Sequence, residues 1–231
     1  MSFDVVILAG GLGTRLRSKV SDLPKCMAPG AGKPFLEHQL DYLARFSVEK
    51  VILSLGFLHK VVIDWVERNS DRWPFRIEWV VEEIPLGTGG GIRLALSKAT
   101  SKNVCILNGD TFYNVDLNDF CLRHSGLGSK LSVALKPMQD FSRYGSVTLV
   151  GNTITEFREK QYCNDGLING GIYCISLDSG LFDGLPDTFS FEKEIMEPGA
   201  EKGLVSGFVY DSTFIDIGIP EDFERAQEIL S

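Results

Sequence analysis

The sequence predicts an α/β domain built on a mainly parallel sheet, and three observations carry that prediction. Short apolar runs rich in β-branched residues recur at 5–9, 51–55, 76–81 and 104–107. Stretches with helical periodicity lie between them, over 35–46, 60–67 and 91–98. Strands alternating with helices need crossover connections, and crossovers set the strands parallel. Beyond Asp110 the pattern changes: runs at 132–136, 146–150, 153–157, 171–175 and 204–210 follow with few helices between. That second half reads as a mixed or antiparallel extension packed on the first. A final amphipathic helix opens at Pro220-Glu221-Asp222, with Pro in the first turn and acids at the positive end of the helix dipole.

Composition narrows the function classes. With 231 residues, 44% hydrophobic and 23% charged, the chain can bury one sizeable core and fits a single domain, 1–231. A net charge of -8 argues against a nucleic-acid or anionic-membrane surface, which would need a concentrated basic face. No apolar stretch reaches membrane-spanning length and no basic leader precedes the first run, so a cytoplasmic protein is expected. The five cysteines show no CxxC spacing, which argues against a disulfide framework or a structural zinc. His38, His59 and His124 are isolated and read as helix-surface or packing residues.

The first strand runs straight into Gly10-Gly11-Leu12-Gly13-Thr14-Arg15-Leu16. Gly10, Gly11 and Gly13 allow a loop that leaves the strand with bare amides against a phosphate. Arg15, and Lys25 in the following Leu23-Pro24-Lys25-Cys26, can add two positive charges over the same anion. A dinucleotide fingerprint needs a small residue where Leu16 stands, and a Walker loop needs Gly-Lys followed by Ser or Thr. Neither fits. The loop is read as holding a nucleoside triphosphate.

Ligands of an open parallel sheet lie outside the carboxyl ends of its strands. The glycine loop leaves one such end and Asn108-Gly109-Asp110 leaves another, so both point to one crevice. Asp110 is a hard oxygen donor at a strand end. Asp216, in Phe214-Ile215-Asp216-Ile217-Gly218, lies between apolar residues where an unpaired charge would be costly. Together they suit a two-carboxylate Mg²⁺ site completed by phosphate oxygens and water. A second glycine cluster, 87–91, is read as exposed backbone before a helix, against which a base or ribose can lie. Glu82 ahead of it is an acceptor-only carboxylate that matches the N1–H and N2–H donors of guanine. Further on, Glu159 offers an acid for sugar hydroxyls, Lys160 a cation for a phosphate and Asn169 an amide beside glycines. Ser190 is a candidate N-cap, placing Glu192 to bind a hydroxyl.

The ordered motifs LAGGLGTRL (8–16), LPKCMAP (23–29), KPFLEH (33–38), EEIPLGTGGGI (82–92), NGDTF (108–112), YGSV (144–147), FREK (157–160), INGGIY (168–173) and DIGIPEDF (216–223) resemble the sugar-1-phosphate nucleotidyltransferases over essentially the whole chain. Within that family the chain looks most like the short members acting on GTP and D-glycero-α-D-manno-heptose 1-phosphate. The resemblance implies a single Rossmann-like domain with a nucleotide-binding half, about 1–112, and a β-rich sugar-phosphate-binding half, about 113–231. No C-terminal β-helix is expected. It implies that Leu8, Gly10, Gly11, Gly13, Thr14, Glu82, Gly87 and Thr88 meet the nucleotide, and that Arg15 and Lys25 act on the reacting phosphates. Asp110 and Asp216 would bind Mg²⁺, and Asn108, Gly109, Gly145, Glu159, Lys160, Asn169 and Glu192 would seat the sugar 1-phosphate.

The implied reaction is in-line attack of a sugar-1-phosphate oxygen on the α-phosphorus of the triphosphate, releasing pyrophosphate. The nucleophile is already anionic, so no general base is needed. Alternatives are the same chemistry on mannose, glucose or N-acetylmuramate 1-phosphate with GTP, UTP or dTTP, or a non-catalytic relative that only binds nucleotide sugars. A homo-oligomer is compatible with the sequence, which does not fix the state.

Overall fold

A computed structural model describes residues 2–11, 23–218 and 220–230, so Gly13, Thr14 and Arg15 of the expected triphosphate loop lie outside the described residues. The first half of the chain follows the expected alternation. β1 (Phe3–Ala9) leads through a 3-10 turn (Lys25–Met27) and a small ladder of β2 (Pro29–Gly30) with β3 (Lys33–Pro34) to α1 (Phe35–Leu43). Then come β4 (Val48–Leu55), α2 (His59–Asn69), β5 (Arg76–Val81), α3 (Gly87–Leu96) and β6 (Asn103–Asn108). The order β5-β4-β1-β6 is parallel throughout, with Ile7 between Leu53 and Leu107. Val5, Val6 and Ile7 are completely buried, because helices cover both faces and every position of this central strand meets a core.

β7 (Thr111–Tyr113) and α4 (Leu117–Leu127) precede the β-rich half: β8 (Leu131–Phe141), β9 (Gly145–Val150), β10 (Thr153–Lys160) and β11 (Cys163–Ser176). A π-helical turn (Glu192–Met196) runs into α5 (Glu197–Glu201), followed by β12 (Val205–Val209), β13 (Phe214–Asp216) and α6 (Pro220–Ile229). The extension continues the first half's own sheet, since β11 pairs antiparallel with β6 to make nine strands. Its far end curls: β11 pairs with β8, β8 with β12, β12 with β10, β10 with β9, and β9 returns to β11. Gly207 permits this tight ring, because a Cβ there would stand 2.7–2.9 Å from Leu135, Leu149 and Ile154.

β11 is the strand both halves share. Its first part pairs with the outer half of β8 and its last part with β6, with a register shift between Asn169 and Tyr173. Gly171, at φ +74°, supplies the backbone conformation for that shift.

One expectation is corrected here. The second glycine cluster is not a loop ahead of a helix, because Gly87–Gly91 form the first turns of α3. Close packing requires these glycines: a Cβ on Gly89 would stand 2.1 Å from the Phe189 ring, and one on Gly90 2.4 Å from the Asp187 carbonyl. The helix thus sits directly against the 187–189 segment, and Gly89 N–H donates to Phe189 O at 3.0 Å.

Candidate active site

The carboxyl ends of β1, β4, β5 and β6 open into one cavity of about 750 Å³, within the range of small-molecule sites. Leu8, Gly10 and Gly11 line it from β1, Glu82 from the end of β5, Gly87 and Thr88 from α3, and Asn108, Gly109 and Asp110 from β6. Lys25 and Glu192 close the sides. Eleven sequence-predicted residues from six segments therefore meet in one place. Close approach of the strand ends explains two of the glycines. A Cβ on Gly109 would stand 2.4 Å from Leu8 O, and one on Gly10 2.8 Å from Glu82 Oε1.

The two acids expected to hold a cation are brought together by β7 and β13. These strands pair antiparallel with Asp216 opposite Thr111, and Ile217 N–H donates to Asp110 O at 2.9 Å. Lys25 completes the group: its Nζ donates to Asp110 Oδ2 at 2.5 Å. Asp216 Oδ1 accepts from Gly218 N–H at 2.7 Å. The close grouping is visible at Gly218, where a Cβ would stand 2.7 Å from Asp216 Oδ1 and 3.2 Å from Lys25 Nζ. Burial, then the neighbouring Asp110, raises the Asp216 carboxyl above its ordinary range, while Lys25 pulls it back. Negative charge is thus concentrated beyond what one ammonium offsets, and the donors are hard carboxylate oxygens. A divalent cation with oxygen preference fits that set. Among the described residues no group of three or more His, Cys, Asp or Glu side chains that could hold a metal exists.

Beside Lys25, the Cys26 thiol is buried and pushed up to about 12 by desolvation, so it stays protonated and packs the turn into the core.

Other side chains anchor the cavity wall. Glu82 Oε2 accepts from Leu86 N–H at 2.9 Å, and Ser54 Oγ lies 3.5 Å from Oε1. One carboxylate oxygen therefore holds the loop before α3, and the group keeps further acceptor capacity on the cavity side. Thr88 Oγ1 donates to Glu192 Oε2 at 2.7 Å and accepts from Phe191 N–H at 2.9 Å. Ser190 Oγ also donates to Glu192 at 2.8 Å and accepts from Lys193 N–H at 3.2 Å, so the expected Ser190 contact to the helix start is present.

The remaining residues expected to seat the sugar phosphate stand further out. Asn169 reaches the site through Tyr173: its Nδ2 donates to the tyrosine oxygen at 2.9 Å, and its Oδ1 accepts from Gly171 N–H at 2.9 Å. Gly145 pairs with Lys160 at the open end of the β9–β10 hairpin, and Glu159 and Lys160 are exposed. None of these four lines the cavity. The hairpin is nevertheless aimed at the acid pair, since the Tyr144 hydroxyl lies 3.5 Å from Asp216 Oδ2. Arg143 steers that tyrosine, donating to its oxygen at 3.2 Å while ion-paired to the buried Asp222 of α6.

Sequence reasoning missed Ser54, His59, Arg143 and Tyr144 as site neighbours. His59 begins α2 and lines the cavity, its Nδ1 3.0 Å from Gly56 O. No local pattern distinguishes it from His38, which bonds Gly30 O, or from His124, which is buried between Ser132 and Ser176.

The nucleotidyl transferase family model matches residues 4–231. The chain belongs to the nucleotidyl transferase family. It is 42% identical over 227 residues to the D-glycero-alpha-D-manno-heptose 1-phosphate guanylyltransferase of Aneurinibacillus thermoaerophilus, covering 98% of each chain. It is 40% identical to the Campylobacter jejuni protein of the same name, over 94% of this chain and 96% of that one. The crystal structure of HddC from Yersinia pseudotuberculosis superimposes with a TM-score of 0.87 at 37% identity, covering 99% of this chain and all of that one. The same protein has been solved in complex with GMP-PN.

Proposed function

We propose that this nucleotidyl transferase moves a guanylyl group from GTP to D-glycero-α-D-manno-heptose 1-phosphate, releasing pyrophosphate. The carrying observation is the convergence of Lys25, Asp110 and Asp216 beside a strand-end cavity. The names of its near full-length relatives support the choice of both substrates. In this reading residues about 1–112 bind the nucleotide and about 113–231 the sugar phosphate.

Leu8, Gly10, Gly11, Gly87 and Thr88 would shape the nucleotide half of the cavity, with Gly13, Thr14 and Arg15 contributing from outside the described residues. Glu82 would accept from guanine N1–H and N2–H with the capacity left beside its Leu86 bond. Asn108, Gly109, Glu192, Asn169, Gly145, Glu159 and Lys160 would hold the sugar phosphate, under the Tyr144 end of the hairpin.

Asp110 and Asp216 would hold Mg²⁺, which when bound offsets phosphate charge and orients phosphate oxygens. Lys25, released from Asp110, would neutralise charge growing on the α-phosphate. The protein aligns two mutually repelling anions, and alignment plus fixed positive charge supplies the rate. No side chain is asked to remove a proton, consistent with the packing roles of His38 and His124.

The test is product analysis. Incubated with GTP, the heptose 1-phosphate and Mg²⁺, the protein should form pyrophosphate and GDP-heptose in equal amounts, with an oxygen of the heptose's 1-phosphate group forming the new P–O–P bridge. Release of orthophosphate with GDP, or no product while both substrates bind, would overturn the reading.

A further inference from the structure

Three thiols that lie far apart in sequence meet in the core. Cys105 on β6 and Cys174 on β11 stand opposite each other in the antiparallel ladder, both fully buried. α4 lays Cys121 over that pair, with its sulfur in hydrogen-bonding reach of both. Cys121 differs from the other two in access, because it lines a second cavity of about 330 Å³ walled also by Phe3, Lys102, Asn103 and Asn118. Exposed Leu122 stands at that cavity, which is separate from the nucleotide site.

The surroundings also separate the three chemically. The two neighbouring thiols hold the Cys121 thiol below its ordinary range, while burial pushes the Cys105 and Cys174 thiols up. A nucleophilic sulfur reached from a cavity, with protonated thiols against it, is the arrangement of an oxidant-sensitive pair.

We propose that Cys121 is a modification site for hydroperoxides, and that its oxidation closes a disulfide to Cys105. The Cys121 sulfur attacks a peroxide oxygen. The O–O bond breaks, leaving a sulfenic acid and one molecule of water or alcohol. The Cys105 sulfur then attacks the sulfenic sulfur, the S–O bond breaks, and the hydroxyl leaves as water with the Cys105 proton. Two thiols and one hydroperoxide thus give one disulfide and two small hydroxylic products. The bridge ties α4 to the strand whose end carries Asn108 and leads to Asp110.

The experiment treats the folded Cys163→Ser protein with hydrogen peroxide, since Cys163 is the one part-exposed thiol among the five. Titration after denaturation should lose two thiols, and peptide mapping should recover Cys105 linked to Cys121. Cys105→Ala combined with Cys174→Ala, which removes both thiols against Cys121, should instead accumulate a dimedone adduct on Cys121. Cys121→Ala should protect Cys105. An unmodified Cys121 in the folded protein, or Cys105 oxidised equally well without Cys121, would overturn the proposal. The mapping on Cys163→Ser carries the test by itself where that double variant fails to fold.

Discussion

Replacing Lys25 with Met separates the proposed chemical role of this residue from its structural one. Met keeps the apolar stem and removes the charge. The ammonium donates to Asp110 Oδ2 at 2.5 Å, with side-chain exposures of 17% for Lys25 and 35% for Asp110. Solvent screens such a part-exposed pair, so its loss should cost about 1 kcal/mol or less. For a domain of this size that lowers Tm by about 2–4 °C. Turnover should suffer much more. Removing one fixed positive group from developing negative charge costs about 100- to 1000-fold, equivalent to about 2.7–4 kcal/mol of transition-state stabilisation. The substitution also removes a charge that lowers the Asp216 carboxyl, so the acid limb of the activity profile should move to higher pH. Pyrophosphate release under saturating substrates, paired with a thermal melt, reads both quantities. Turnover within about tenfold of the wild type, with an unchanged melt, would refute the assignment.

Asp216→Asn should improve the free fold while disabling it. A native carboxyl raised above its unfolded value contributes stability below the unfolded value and loses it as pH rises through the native one. At neutral pH the Asn variant should therefore melt higher than the wild type and turn over far more slowly, which melts and rates at one pH will show. His124 sets the acid side of stability. Burial lowers its imidazole from 6.5 to about 4, so stability should fall as pH drops through that window, by up to about 3 kcal/mol. Urea titrations of His124→Gln should show a flatter slope there. Gly91→Ala places a Cβ 2.8 Å from Glu82 Oε1 and 3.2 Å from Ser54 Oγ, while Ala favours the helix by about 1 kcal/mol. KM for GTP should rise about fivefold, a loss of about 1 kcal/mol, with little change in Tm.

The first half of the chain was legible because its signals are local. The run at 5–9 and the helix at 35–46 each carry their own periodicity, and their observed counterparts are Phe3–Ala9 and Phe35–Leu43. Asp110 and Glu82 could be read from strand ends, which ligands favour irrespective of detail, and Lys25 from the basic segment that follows the glycine loop. The α3 glycines were misread because a Gly-rich segment in isolation looks like a loop. The 187–189 segment, roughly a hundred residues away, shows why the helix lacks side chains at Gly87, Gly89 and Gly90. The same limit hid the thiol cluster and the Arg143–Tyr144 approach to Asp216. The cluster follows from β6–β11 register, and the approach from an ion pair to Asp222 in the last helix. β7 and β13, three residues each, are too short to show a period, although their pairing is what joins the two acids.

The most direct test of the account is a rate comparison with Mg²⁺, setting GTP, UTP, dTTP, CTP and ATP against heptose, mannose, glucose and N-acetylmuramate 1-phosphates. Pyrophosphate release should be fastest with GTP and D-glycero-α-D-manno-heptose 1-phosphate. A clear preference for another nucleotide would contradict the reading of Glu82, another sugar would contradict the proposed acceptor, and silence with every pair would contradict nucleotidyl transfer itself.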